Sequence, residues 1–137
     1  RDNFLDQGTY RPTMKLFIDD IHTSPNDSWN ICRTVLSAVS ALDMFWEQIT
    51  DIALDHDISH QIVMGEMSRP FACPETFEVV ARYVATLKKL HPEWSPAISI
   101  HTSNPVGAER MGGILGAIGF SPTIQLARGA NRLETIL

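Results

Sequence analysis

The chain has 137 residues, 44% hydrophobic and 20% charged, with a formal net charge of −5. That length suits one domain able to bury its own core without disulfides or structural metal, and the acidic balance excludes a broad electrostatic grip on long nucleic-acid duplexes, which needs clustered Lys and Arg. Two cysteines, Cys32 and Cys73, make neither a disulfide framework nor a zinc site, which points to a reducing compartment.

No apolar run approaches the roughly 18 residues of a membrane span, and no signal peptide is visible, so no membrane contact and a cytoplasmic location are expected. The start at Arg1 leaves open where the protein begins. Residues 1–13 read as an N-terminal arm whose Phe4, Leu5 and Tyr10 predict packing. With no internal repeat or low-complexity linker, 14–137 reads as one domain.

The run Lys15–Ile18 is apolar without polar alternation, as strands buried on both faces are. Only Ile21 to Ser28, with Pro25, separate it from a shorter, mixed run at Trp29–Arg33, an expected edge strand. A parallel crossover usually needs about a dozen residues. Either a loop makes this crossing or the Trp29 strand sits differently. Val35, Val39, Leu42, Phe45 and Ile49 then form one helical stripe. Asp51–Leu54 is the next strand. Ser59–Cys73, with Gly65 and Pro70 and no clear period, reads as a loop or lid.

A second helix is predicted from Pro74, with Phe77, Ala81, Val84, Leu87 and Leu90 as its stripe and His91-Pro92 as its stop. Ala97–Ile100 is a strand. A third helix opens at Asn104-Pro105, an N-cap followed by proline, and closes at Gly119 with Phe120 behind it. Thr123–Leu126 is the last strand. Strands alternating with helices imply a doubly wound parallel α/β sheet of about five strands, its first helix reduced to a loop.

In such a sheet ligands bind beyond the carboxyl ends of the strands. Three strands end in polar clusters: Asp19-Asp20, Asp55-His56-Asp57 and His101-Thr-Ser-Asn-Pro105. Asp19, Asp20 and Asp55 would repel one another unless a cation neutralised them. A hard divalent ion with oxygen ligands, Mg²⁺ or Mn²⁺, suits them. Their repulsion also predicts that Asn at any of the three stabilises the metal-free protein. The plainer alternative is that each Asp only terminates a strand. His56 and His101 can move protons near neutral pH, with Asp57 orienting one of them, or can hold loops as structural histidines. Thr102, Ser103, Asn104 and Gly107 at a helix start, with Arg110 one turn on, form a candidate phosphate site. The alternative is a capped helix and a solvated arginine.

Asp19-Asp20, Asp55 and Thr102 or Ser103 at successive strand ends resemble the receiver domains of two-component response regulators, a flavodoxin-like fold. Lys15-Leu-Phe-Ile-Asp-Asp-Ile-His-Thr-Ser-Pro25, Leu54-Asp-His-Asp57 and Ile100-His-Thr-Ser-Asn-Pro-Val-Gly107 are more specifically similar to the cyclic-phosphate processing receiver domains of bacteria and phages. The resemblance covers roughly Met14 to Arg128. It implies a metal-bearing pocket acting on a phosphate ester such as a 2′,3′-cyclic phosphate, its partner a small phosphate-bearing ligand or an RNA terminus. A degenerate receiver that binds a nucleotide or a protein without turnover, its surface supplied by Trp29, Trp46, Trp94 and the arm, is the alternative. Two departures stand out. The run Gln125-Leu-Ala-Arg128 lacks the receiver lysine of the last strand, which argues against a phospho-acceptor switch at Asp55. His22 stands where this family is expected to carry arginine.

Overall fold

The computed structural model describes residues 12–57, 76–128 and 132–136. In chain order these form β1 (Met14–Ile18), β2 (Trp29–Cys32), α1 (Val35–Phe45), a 3₁₀ turn (Trp46–Gln48), β3 (Ile49–Leu54), α2 (Glu78–Leu90), β4 (Ala97–Thr102), α3 (Pro105–Gly116), β5 (Thr123–Arg128) and β6 (Arg132–Ile136). The sheet order is β2-β1-β3-β4-β5-β6, with β1 to β5 parallel and β6 antiparallel to β5. The α/β reading of about five parallel strands therefore holds, and the hairpin to β6 extends it. The expected double winding does not: all three helices lie on one face, because the one crossover that runs the other way is a loop. Among the described residues no helix is long and apolar enough to cross a membrane. Residues 1–11 of the expected arm and the expected lid at Ser59–Cys73 lie outside the described residues.

The β1–β2 crossing is made by a loop. Its backbone is held by Asp19 and Asn26, whose side chains accept amides from residues two or three ahead. That missing helix matters for the layers. The steps β2 to β3, β3 to β4 and β4 to β5 all run the same way along the sheet, so right-handed crossovers lay α1, α2 and α3 on one face. Leu16, Ile18, Ile52, Leu54, Ile98 and Ile100 point to that face and pack with Leu42, Val84, Met111 and Leu115 in one core. Each such side chain contributes about 1.5–3 kcal/mol by leaving water. Phe17 and Ala53 are buried too but stand outside this core, as alternation requires of residues on the opposite face.

Thr34 and Ser37 form a reciprocal capping box that starts α1. Ile49, expected on the helical stripe, opens β3 instead. The 3₁₀ turn after Phe45 breaks the period first, and Ile49 is buried in the core. The second helix begins at Glu78, later than the proline signal predicts. Thr76 pairs with Asp57 in an isolated antiparallel bridge, and Phe77 donates its amide to the His56 carbonyl. Pro74 itself lies outside the described residues. α3 behaves as expected: Asn104 caps it, and Gly119 at φ 108° reverses the chain so that the Phe120 amide reaches Leu115. Trp94 is buried and donates to the Ile49 carbonyl, and Trp46 packs edge-on to it with His91 stacked on its face. Core packing accounts for those two indoles.

Candidate functional site

Backbone pairing continues one residue past the strands. The Asp19 amide reaches the Cys32 carbonyl, and the Asp55 amide reaches the Ile18 carbonyl. Because Ile18, Leu54 and Ile100 stand level across β1, β3 and β4, the next residues form a row: Asp19, Asp55 and His101. The row lies on the helix-free face, where the small Ala53 leaves room for the His101 ring to stack on Phe17, 4.9 Å between centroids.

Asp19 is fully buried and heavily bound. Its Oδ1 accepts the amides of Ile21 and His22, each at 2.9 Å. Its Oδ2 lies 2.9 Å from His101 Nε2 and 3.0 Å from His22 Nδ1. Arg33, just past β2, donates to the carbonyls of Asp19 and His22 and fixes the loop that carries His22. Burial pushes the Asp19 carboxyl upward, but the His101 ring and the two amides outweigh it and hold the group well below the usual carboxylate range.

Asp55 is bound differently. Only 8% of it is exposed, and its Oδ1 accepts the His56 amide at 2.7 Å. Among the described residues its second oxygen has no hydrogen-bond partner. Burial, and then the Asp19 charge beside it, push its carboxyl up to about 8, with Asp20 and Asp57 adding to the rise and the His56 amide opposing it. Ligand atoms of Asp19, His22 and Asp55 lie within 4.8 Å of one another, a group able to hold a metal ion. Asp20, expected as the third ligand, stands outside that group and bears on it through its charge.

A second cluster joins the ends of β3, α2 and α3. His56 Nδ1 lies 2.6 Å from Asp57 Oδ1, and its Nε2 lies 2.9 Å from Glu78 Oε2. Arg110 grips the same Glu78 through Nε at 2.7 Å and Nη2 at 3.0 Å. The Arg110 guanidinium holds the Glu78 carboxyl down to about 2 against a smaller upward push from burial, and His56 adds to the lowering. Both nitrogens of His56 therefore face carboxylates, so its ring ties the end of β3 to the start of α2, and Arg110 brings α3 to the same Glu78.

The groups expected to cradle phosphate are largely engaged with one another. Asn104 Oδ1 accepts the Gly107 amide at 3.0 Å and its Nδ2 reaches Asp57. Thr102 is buried, its hydroxyl accepting the Asn104 amide, while Ser103 is exposed. Gly107 is also closely packed: a Cβ there would meet the His56 ring at 2.5 Å. Gly107→Ala is expected to lose about 1–3 kcal/mol through this overpacking. Urea denaturation measures it, and an unchanged midpoint would show that the ring yields freely.

From the sequence His22 stood out only as a departure from the family's expected arginine, and Arg33 and Glu78 were not expected in the site at all. His22 carried a signal in its place three residues after Asp19, the reach of an aspartate that caps its own turn. Glu78 lies 22 residues from His56 and carried none.

A parallel sheet in this order, with acids and a histidine in a row beyond its carboxyl ends, defines a receiver-type α/β domain. The family model for the cyclic-phosphate processing receiver domain matches residues 14–117, and the chain belongs to that family. Comparison with curated proteins and with solved structures gave no match.

Proposed function

We propose that the protein binds a divalent metal ion between Asp19 and Asp55 and uses it to bind and process a phosphate ester, a 2′,3′-cyclic phosphate on a nucleotide or an RNA end. One observation carries the metal: Asp55 is buried beside a second carboxylate, with one oxygen unpartnered among the described residues. Such an arrangement is unfavourable for an ionised pair and suits a cation. The family, named for cyclic-phosphate processing, supports the substrate.

When bound, the ion supplies positive charge to phosphoryl oxygens and makes water a better nucleophile. Asp19 holds the His101 ring in the acid row by its Nε2. Opening a cyclic phosphate requires one water to add to phosphorus and one ribose oxygen to leave with a proton. We assign the movement of that proton to His101. His56, tied at both nitrogens, fixes Asp57 and the start of α3 at the rim.

Incubation with 2′,3′-cyclic nucleotides and short cyclic-phosphate RNAs, in metal or in chelator, tests this. Product is expected only in metal, and His101→Ala should slow it by about 10²–10⁴. Binding without product would support a non-catalytic module, the reading that the clamped His56 favours. Neither binding nor product in any divalent metal would overturn both.

A further inference from the structure

We infer that His22 is a metal ligand, so that the site selects a first-row transition ion over Mg²⁺. The inference rests on the metal site proposed above and deepens it. His22 Nδ1 sits 3.0 and 3.2 Å from the two oxygens of Asp19, facing the carboxylate squarely. Its backbone is fixed twice, by its own amide on Asp19 Oδ1 and by Arg33 on its carbonyl at 2.6 Å. The ring thus reaches the row from the loop side while 47% of the side chain stays exposed. An independent observation puts a ligand there: the second oxygen of Asp55, on a residue only 8% exposed, has no partner among the described residues.

The donor set is two carboxylates and one imidazole. Mg²⁺ prefers oxygen and keeps its waters, whereas Mn²⁺, Co²⁺ and Zn²⁺ accept imidazole, with affinity rising along that series through Co²⁺. The ring coordinates through Nδ1 as its Nε2–H tautomer, giving up the hydrogen shared with Asp19. An arginine at this position would offer no lone pair, so the selectivity belongs to this sequence.

The test uses the full chain, freed of metal by chelator and titrated with Mg²⁺ or Co²⁺ alone. Wild type should bind Co²⁺ about 100-fold or more tightly than Mg²⁺. His22→Ala and His22→Asn should weaken Co²⁺ binding by at least about 10–100-fold, the scale of disturbing a metal's ligand environment. Mg²⁺ binding, which does not call on an imidazole, should fall by a clearly smaller factor than Co²⁺ binding. The visible absorption of bound Co²⁺ should change in both variants, and folding of each is checked by its melting curve. If Asp55→Asn abolishes Co²⁺ binding but both His22 variants bind it like wild type, the metal site stands and the inference about His22 is wrong. If wild type binds neither ion, the metal site itself fails. Co²⁺ binding lost in His22→Ala but kept in Asp55→Asn would leave His22 as a ligand and overturn the site between Asp19 and Asp55 on which the inference rests.

Discussion

Asp55→Asn is expected to stabilise the metal-free protein, with the largest gain above pH 8. The folded state holds the Asp55 proton up to about pH 8, whereas an unfolded aspartate loses it near 3.8. Between those values the folded state binds more protons than the unfolded one. Stability therefore falls as pH rises from about 4 to about 8 and levels off above. At about 1.4 kcal/mol per pH unit, the effect has a ceiling on the order of 5 kcal/mol. Asparagine mimics the protonated acid, so the variant should lack this slope and exceed wild type by about 1–3 kcal/mol at high pH. The same substitution should abolish any rise in melting temperature on adding metal, because binding to the native state is lost. Urea denaturation from pH 5 to 9, with chelator or with metal, measures both. A flat wild-type profile in chelator would refute the account of Asp55.

The same chemical change at Asp19 should act in the opposite direction. The sequence suggests that relieving repulsion stabilises either variant, but the structure separates them. Asp19 accepts two amides and lies against two imidazoles, and its ionised form is the one these partners hold. Asp19→Asn removes that charge, and with one oxygen held by two backbone amides its amide group must turn an N–H toward the ring nitrogens in place of an accepting oxygen. A loss of about 2–4 kcal/mol is expected. Its carboxyl is lowered, so the stability it gives is complete above the ordinary carboxylate range and is lost as pH falls below it. Acid denaturation of Asp19→Asn should lack that component. A denaturation midpoint equal to or above wild type would show that the network contributes nothing.

β1 and β3 were legible because their last three residues, buried on both faces, leave near-continuous apolar runs, and β4 and β5 because each is a short run rich in Ile and Leu set off by a helical signal. α3 was legible from both ends, through Asn104-Pro105 and Gly119-Phe120. The start of α2 was not, because the antiparallel bridge at Thr76 is set by a partner 19 residues earlier, Asp57, and leaves no local pattern. β6 escaped for a similar reason: its pairing with β5 depends on register across the sheet edge. In the site, the residues that end strands were found, since topology alone gathers them. The direction of their hydrogen bonds was not. Nothing in Asp19-Asp20 says which carboxylate turns inward, and nothing near Arg110 says that Glu78 will take it.

The one-way march of the crossovers also bears on assembly during synthesis. After β1 and β2, each new strand is laid beside one already in place, β3 on β1, β4 on β3, β5 on β4, with its helix closing over the joint just made. No strand has to be inserted between two finished ones. The sheet therefore grows at a single edge as the chain emerges, by contacts between neighbouring units, which is the economical route for a parallel sheet whose pairings are otherwise slow to find. Asp19, Asp55 and His101 emerge with β1, β3 and β4. The acid row is complete once Thr102 has left the ribosome, before β5 and β6 have been added to the edge.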